Sequence, residues 1–406
     1  MHRNRFINPW NSIWTLCLLG FVWGNFQNSL RAGEEPFLNK QVLFEEKTNG
    51  YSVYRIPGIV VTAKDTILAY CEARKLREAD RGEIEIHLRR STDGGKTFSP
   101  AQHVAHMGPR LPRNPYMPKS KRGKDMGGPE EQTVNNPMAI AGKDGLVHMV
   151  YCVEYARAFH MVSKDDGLSW SDPTEITYAL DHLRSELDWQ AIASGPGHAI
   201  ELNNGRLIVP FWLATYEENA PLRKAAGLIF SDDKGVTWEA GDLAIREGGE
   251  PNVVQLADGR VLMTSRSSQQ RRLASYSENG ATNWSKPHLV EDLLEPGCMA
   301  GVVAYPGRDG ISGSVLLFSN PHTTKRKHSG RQNVTIKLSR DGGLTWPLQK
   351  LLENGPSAYS DLAVLADGTI LCFYESGETP PKIKRNRDWA YANITLARFN
   401  LKWLTQ

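Results

Sequence analysis

The sequence predicts an all-β fold, a six-bladed β-propeller of four-stranded antiparallel blades. Short apolar runs separated by turn residues fill the chain, an eight-residue hairpin pattern recurs, and no helical period exceeds three turns. The pattern returns at intervals of roughly 45–70 residues, which suits one four-stranded blade per interval. At about 60 residues per blade, the roughly 370 residues after the amino-terminal stretch make six blades.

The amino terminus has the pattern of a signal peptide over residues 1–32. A segment with basic residues, 1–6, precedes an apolar stretch, residues 13–23, that is too short to span a bilayer comfortably. Leu30-Arg-Ala32 is an imperfect cleavage site. We therefore expect an exported protein, secreted or periplasmic, with residues 33–406 as a single domain. The alternative is an uncleaved membrane anchor, but no later stretch is apolar enough to cross a membrane.

Composition excludes some classes of function. Charged residues make up 23% of the 406 residues and the net charge is +3, so neither a basic surface nor a Lys/Arg block indicates nucleic-acid binding. The cysteines match no zinc pattern, and a core of this size needs no disulfide framework. We expect buried thiols, with one disulfide bridge as the alternative, at the cysteines that follow the signal: Cys71, Cys152, Cys298 and Cys372.

The strands are predicted by apolar runs that alternate as half-buried strands do. Residues 84–88, 227–230 and 334–338 are examples. Asn-Gly and Asp-Gly pairs between apolar runs predict tight hairpins, as at Asn204-Gly205 and Asp258-Gly259. The Pro-rich and basic segment from Pro109 to Pro129 interrupts this series. We expect it to be a long loop on the binding face of the propeller.

The recurring hairpin pattern is Ser-x-Asp-x-Gly-x-Ser/Thr-aromatic. Asp can bond its own backbone and Gly accepts positive φ, so the pattern makes a tight turn after a strand. The aromatic residue has a large ring to bury, and we expect it to lock one small sheet. Four good copies and one worn copy begin, in that order, at Ser91, Ser163, Ser231, Ser339 and Ser277.

Over nearly the whole mature chain the sequence resembles the exo-α-sialidases, or neuraminidases. The repeats are similar to the Asp-boxes (BNR repeats) of that family, and Tyr54-Arg-Ile-Pro57 is similar to its Phe/Tyr-Arg-Ile-Pro motif. Asp-boxes also occur in propellers without catalytic activity, so the second motif is the more specific one. The resemblance implies a retaining glycosidase that removes terminal sialic acid and uses no cofactor.

The family clamps the substrate carboxylate between three arginines. By the resemblance these are Arg55, Arg266 in Thr264-Ser-Arg266, and Arg331 in His328-Ser-Gly-Arg331. A guanidinium group suits this task because it carries a permanent charge and a planar fork of donors. Glu375 matches the carboxylate that steadies the first arginine.

Tyr359 matches the nucleophile of the family. A carboxylate that attacked a carbon bearing a carboxylate would meet like-charge repulsion, and sialidases are an exception to the two-carboxylate rule for this reason. A phenol is weakly nucleophilic near its pKa of about 10, so it needs a base beside it. Glu250, in Gly248-Gly-Glu-Pro251, matches that base.

Asp80 matches the acid/base of the family. It would protonate the departing glycosidic oxygen and then activate the water that breaks the tyrosyl intermediate. On chemistry alone Glu78 and Glu83 are rivals on the same charged segment. Arg74 matches a further arginine that approaches the sugar.

Three functions remain open from the sequence. The first is hydrolysis of terminal sialic acid from sialylated glycoproteins, glycolipids or oligosaccharides. The second, on the same site, is transfer of the sialyl group to another sugar. The third is a propeller that binds glycans or proteins without turnover, which would predict a site that has lost its catalytic residues.

Overall fold

A computed structural model describes residues 35–75, 80–105, 110–115, 131–216, 223–306, 315–324, 330–377 and 389–406. Within this part of the chain, residues Pro36–Gln406 belong to one compact unit. The predicted signal peptide lies outside the described residues. So does most of the predicted loop from Pro109 to Pro129.

Six antiparallel sheets form the unit, and in blades 1, 2, 4 and 5 the strand order follows the chain. Blade 1 contains β2 (Val53–Val61), β3 (Ile67–Arg74), β4 (Ile84–Ser91) and β5 (Gln102–Ala105). Blade 2 contains β6 (Val134–Ala141), β7 (Val147–Val153), β8 (Arg157–Ser163) and β9 (Thr174–Glu175). Blade 4 contains β16 (Gly249–Gln255), β17 (Val261–Arg266), β18 (Arg271–Ser277) and β19 (His288–Leu294). Blade 5 contains β20 (Gly301–Tyr305), β21 (Val315–Pro321), β22 (Val334–Ser339) and β23 (Leu348–Leu351).

Blade 3 differs because its first and last strands are each interrupted. Two short strands pair with each side of the central pair, which gives this sheet six strands. They are β10 (Ala191–Ser194), β11 (Ile200–Glu201), β12 (Leu207–Thr215), β13 (Arg223–Ser231), β14 (Glu239–Ala240) and β15 (Ile245–Arg246). Helices among the described residues are short: 3-10 turns at Thr177–Ser185 and Trp389–Tyr391, and an α-helix at Leu401–Thr405.

Blade 6 joins the two ends of the described chain and closes the ring. Its strands are β24 (Ser357–Val364), β25 (Ile370–Ser376), β26 (Asn393–Phe399) and, from the amino-terminal side, β1 (Leu38–Glu45). Neighbouring sheets pack in chain order, and β24 packs against β2. The six-bladed propeller predicted from the repeats is therefore confirmed.

The Asp-box turns form as predicted. In each good copy, Ser and the turn backbone bond to one Asp carboxylate; Asp233, for example, accepts from Ser231 Oγ at 2.8 Å and Thr237 N at 2.9 Å. The worn copy folds the same way, with Asn279 accepting from the backbone of Ala281 and Thr282. Gly can take the positive φ that these turns require.

The aromatic residue of the pattern packs on its own sheet and on the neighbouring sheet as well. Trp346, in blade 5, packs among residues of blades 4 and 5, including Leu262 and Phe318. Its backbone N–H also donates to Asp292 Oδ2, from blade 4, at 2.7 Å. The ring therefore packs on its own sheet as expected, and it also joins that sheet to the neighbouring one, which the sequence did not predict.

A second repeat, missed in the sequence, shapes the inner strands. Ile56 in β2, Asn136 in β6 and Glu250 in β16 have φ values of 62°, 54° and 45°, and a proline follows each of them. The strand pairing shifts at each position, which marks a β-bulge. Bulges re-aim side chains and are common beside active sites.

The four cysteines that the structure describes are buried and free, which confirms the prediction of thiols: Cys71, Cys152, Cys298 and Cys372. None of the helices in the described part of the chain is long and apolar enough to cross a membrane.

Candidate active site

The predicted site residues come from four blades and meet at one end of the inner strands. Arg55 lies near the start of β2, Glu250 near the start of β16 and Tyr359 near the start of β24. Arg266 ends β17, which runs antiparallel to β16 and so brings its last residue to the same end. Arg331 precedes β22 and completes the group.

Glu375 holds both Arg55 and the backbone of the tyrosine. Arg55 Nε donates to Glu375 Oε1 at 2.5 Å, and the side chains are 8% and 0% exposed. The same oxygen accepts from the Ile56 N–H at 3.0 Å, while Glu375 Oε2 accepts from the Tyr359 N–H at 3.1 Å. One buried carboxylate therefore fixes a guanidinium group and the strand that carries Tyr359.

Glu250 lies between Arg266 and the phenol. Arg266 Nη1 donates to Glu250 Oε1 at 2.9 Å and is 3.5 Å from Tyr359 Oη. The Tyr359 hydroxyl donates a short hydrogen bond to the same carboxylate oxygen. Phenol and carboxylate are thus in contact, as a nucleophile and its base require.

Arg331 faces Tyr359 from a third side. Its guanidinium carbon is 4.9 Å from the centre of the Tyr359 ring. Nη1 donates to the Tyr391 hydroxyl at 2.9 Å, and Nη2 donates to the Gly297 carbonyl at 2.9 Å. Arg55 stacks on the Tyr391 ring at 3.8 Å, so Tyr391 spaces two arginines that would otherwise repel.

A second group of charges centres on Arg74. This buried side chain donates to Glu72 Oε2 from Nε at 2.8 Å and from Nη2 at 2.5 Å. Its Nη1 donates to Asp80 Oδ1 at 2.8 Å. Glu72 in turn accepts from the backbone N–H of Asn136, the bulge residue of β6, at 2.8 Å. Arg74, which Glu72 holds in place, therefore fixes the position of the Asp80 carboxylate.

The electrostatics set distinct protonation states. Burial and the nearby Glu250 carboxylate raise the pKa of Tyr359 well above its usual value, although Arg331 and Arg266 act in the opposite direction. Burial by itself would raise the pKa of Glu250, but Arg266, the Tyr359 hydroxyl and Arg331 outweigh it and lower that pKa. At neutral pH the pair is a neutral phenol beside an ionised carboxylate, poised for proton transfer.

The pKa of Asp80 is also lowered. Desolvation would raise it, but the guanidinium charges of Arg74, Arg55 and Arg331 outweigh that effect. The carboxyl group is therefore ionised in the free site.

Positive charge is in excess around Tyr359. Arg55 is paired with Glu375 and Arg266 with Glu250. Within the described ranges Arg331 makes no ion pair, and it donates hydrogen bonds to the Tyr391 hydroxyl and the Gly297 carbonyl. The site thus has one guanidinium charge available for an anion that enters it.

The structure brings together all the predicted site residues that it describes: Asp80, Tyr359, Glu250, Arg55, Arg266, Arg331, Arg74 and Glu375. Of the rivals to Asp80, Glu78 lies outside the described residues, and Glu83 accepts from the backbone of Gln132 instead. Glu72 and Tyr391 were missed. A Glu two residues before Arg74 in a buried strand was a usable signal for Glu72, whereas nothing local distinguishes Tyr391.

The arginines can bind an anion beside the Tyr359 phenol, and Glu250 can accept the proton of that phenol. In the described ranges no cluster of three or more His, Cys, Asp or Glu side chains could hold a metal ion. The Tyr359 phenol, the Glu250 carboxylate beside it and the Asp80 carboxylate are groups suited to nucleophilic and acid–base catalysis.

Comparison with known proteins gives consistent results. A family model described as a BNR repeat-like domain matches residues 120–372. The chain is 31% identical to a sialidase of Micromonospora viridifaciens over 92% of its own length, and spans 55% of that protein. It is 30% identical to Sialidase-2 of Rattus norvegicus, with 84% of this chain and 93% of that one covered.

A solved structure agrees. The Hadza microbial sialidase Hz136 superposes with a TM-score of 0.71 at 26% identity, over 88% of this chain and 67% of that chain. The chain spans just over half the length of the bacterial relative, and nearly the whole of the rat one. On its repeats, its propeller and these matches, the chain belongs to the sialidase family.

Proposed function

We propose that this protein is a retaining exo-α-sialidase, a glycoside hydrolase that releases terminal sialic acid through a tyrosyl-enzyme intermediate. The observation that carries the proposal is the convergence of Arg55, Arg266 and Arg331 on Tyr359, with one guanidinium charge left unpaired among the described residues. Sialic acid bears a carboxylate on its anomeric carbon. Arginines that hold the carboxylate therefore also hold the carbon that reacts.

Substrate capture follows from this charge. The carboxylate of the sugar enters between the three guanidinium groups, where charge-assisted hydrogen bonds in a buried setting are strong. Arg55 and Arg266 keep their partners Glu375 and Glu250. The substrate thus supplies the negative charge that Arg331 lacks.

The nucleophilic step uses Tyr359 and Glu250. As the bond to the leaving group breaks, the anomeric carbon becomes positive, and the phenol oxygen attacks it while its proton passes to Glu250. A neutral phenol approaches a carbon that carries a carboxylate without the repulsion that a carboxylate nucleophile would meet. The contact between Tyr359 and Glu250 supports this assignment.

Asp80 supplies the proton for the leaving group and later takes one from water. Water then attacks the anomeric carbon from the side opposite Tyr359, while the bond to the Tyr359 oxygen breaks and Glu250 returns the proton to that oxygen. This second inversion restores the original configuration. Arg74 supports this role because it contacts Asp80 directly and is itself fixed by Glu72. The substrates we propose are terminal sialosides on glycoproteins, glycolipids and oligosaccharides.

The test is a panel of α2,3-, α2,6- and α2,8-linked sialosides incubated with the full chain, with products followed by proton NMR. We expect free sialic acid to appear first as the α-anomer. An acceptor such as lactose, added in excess, distinguishes hydrolysis from transfer.

Each alternative has its own outcome. Release of the β-anomer first would exclude retention and the tyrosyl intermediate. Sialylated lactose as the main product would identify a transferase on the same site. Binding of sialosides without any product would leave a glycan-binding propeller and refute the proposal.

A further inference from the structure

A buried ion pair lies behind the candidate active site, and the mechanism above does not use it. Arg272, in β18, and Glu295, just after β19, are both 0% exposed. Arg272 Nη1 is 3.2 Å from Glu295 Oε2. Buried charges are costly unless hydrogen bonds satisfy them, so the groups that these side chains hold are informative.

Arg272 donates to the backbone of the base itself. Its Nη2 donates to the Glu250 carbonyl at 3.4 Å and to Thr264 Oγ1 at 3.4 Å, while Nη1 donates to the Cys298 carbonyl at 3.2 Å. Glu250 has a φ of 45°, which is uncommon for a residue other than glycine. Such a conformation persists only where its surroundings hold it.

Glu295 supports the two neighbouring arginines. Its Oε1 accepts from the N–H of Ser267, the residue after Arg266, at 3.3 Å. Two residues further on, the Gly297 carbonyl accepts from Arg331 Nη2 at 2.9 Å. A Cβ on Gly297 would lie 3.3 Å from Arg266 Nη2, so this backbone also lies against the guanidinium group of Arg266.

We propose that Arg272 and Glu295 are positioning residues for the sialidase reaction. Their hydrogen bonds connect the backbone of Glu250, the end of β17 and residues 295–298. These contacts keep Glu250 in contact with Tyr359 and keep Arg266 and Arg331 directed at the substrate carboxylate. Neither side chain touches the reacting atoms. The inference rests on the proposed function and deepens it, because it explains how the base keeps a strained backbone.

The test removes both charges at once, in the double variant Arg272→Met/Glu295→Met. Because the two charges of the pair are removed together, neither is left buried without the other, and the double variant is expected to fold. A role in stability alone predicts that the folded double variant keeps its activity. A positioning role predicts that kcat/KM falls by about 10–100-fold, the range for supporting groups behind functional side chains.

Two further variants complete the experiment. Arg272→Lys keeps the positive charge but lacks the forked guanidinium group that reaches several acceptors, so its kcat/KM is also expected to fall. This variant tests the proposal even if the double variant does not fold. The matched control is Arg206→Met/Asp232→Met, which removes an ion pair of 2.7 Å at the far ends of β12 and β13. The control is expected to keep wild-type kinetics.

Thermal melts show whether each variant is folded, and hydrolysis of a fluorogenic sialoside gives its kcat and KM. Either variant folded and within about twofold of wild-type kcat/KM would overturn the proposal, since that lies below the range for supporting groups. If the wild type itself is inactive, the proposed function fails, and crystal structures of the variants decide the inference instead. A Glu250 carboxylate displaced from Tyr359 supports positioning, and an unmoved one contradicts it.

Discussion

At the scale of single residues, the three arginines around Tyr359 differ in what their removal leaves behind. Arg55→Ala leaves Glu375 as a buried carboxylate without its cation. Arg331→Ala instead removes a guanidinium group that donates to two neutral groups, the Tyr391 hydroxyl and the Gly297 carbonyl. We expect Arg55→Ala to lower the free energy of unfolding by about 3–5 kcal/mol, and Arg331→Ala to change it much less.

Both substitutions should weaken binding of 2-deoxy-2,3-didehydro sialic acid. A hydrogen bond to a charged group contributes about 1.5–3 kcal/mol, so the dissociation constant should rise by about tenfold or more. Calorimetry measures the affinity, and urea unfolding measures the stability. If Arg331→Ala binds the inhibitor as tightly as the wild type, Arg331 does not bind the carboxylate of the sugar.

We expect the protonation state of Asp80 to depend on whether substrate is bound. Arg55 and Arg331 both lower its pKa in the free site, and a bound carboxylate cancels part of their charge. Substrate binding should therefore raise the pKa of Asp80. Because the acid acts only when protonated, activity falls as pH rises through that pKa.

We predict that this falling limb lies at higher pH in the profile of kcat than in the profile of kcat/KM. The first reports the enzyme–substrate complex and the second the free enzyme. Asp80→Asn should abolish the limb with natural sialosides and cost less with substrates that have good leaving groups. Falling limbs at the same pH in both profiles would contradict the prediction that substrate binding raises the pKa of Asp80.

At the scale of elements, the Asp-box is a connector between sheets. Trp346 is 0% exposed between blades 4 and 5, while Trp284, in the worn copy, is only partly buried. Trp346→Ala should therefore lower the free energy of unfolding by about 3–5 kcal/mol. Trp284→Ala, the matched control, should cost clearly less.

Urea unfolding of both variants measures these values. Equal losses in the two variants would contradict this account, because they would show that full burial between two sheets adds nothing to the contribution of the ring. Activity per folded molecule should be unchanged in both, because neither tryptophan contacts the site.

The inner-strand bulges show what the sequence could and could not predict at this scale. Turn chemistry is local, so the Asp-box hairpins were visible in their residues. The bulges depend on pairing between strands, and only the proline after Ile56, Asn136 and Glu250 marked them. Recurrence of that proline in three blades was a usable signal that periodicity arguments do not include.

The site residues divide in the same way. Arg55, Glu250 and Tyr359 stand in motifs that a resemblance can match, whereas Tyr391 comes from a short 3-10 turn and is defined only by the two arginines it separates. Arg272 and Glu295 were missed because a buried ion pair has no sequence pattern. Packing, not local chemistry, selects such residues.

At the scale of the whole molecule, closure of the ring depends on β1, the one strand of blade 6 that comes from the amino-terminal side. Leu43, 5% exposed, packs in the cluster shared by blades 6 and 1, whereas its neighbour Val42 is 51% exposed. Leu43→Ala should lower the free energy of unfolding by about 2–5 kcal/mol. Val42→Ala should stay within about 0.5 kcal/mol of the wild type.

Urea unfolding of the matched pair checks this. Similar stabilities of the two variants would show that blade 6 closes the ring without the buried face of β1. Because the site residues of blades 1 and 6 meet across this closure, loss of the closure should also remove activity.

The central claim is that the arginines hold an acidic sugar so that the phenol of Tyr359 can bond to its anomeric carbon. The most direct measurement is mass spectrometry of the protein after brief reaction with a 2,3-difluorosialic acid, followed by peptide mapping. We predict one sialyl adduct, on the peptide that contains Tyr359, and none on the Tyr359→Phe variant. An adduct on Glu250, or an unlabelled Tyr359 in an enzyme that turns over, would contradict the account.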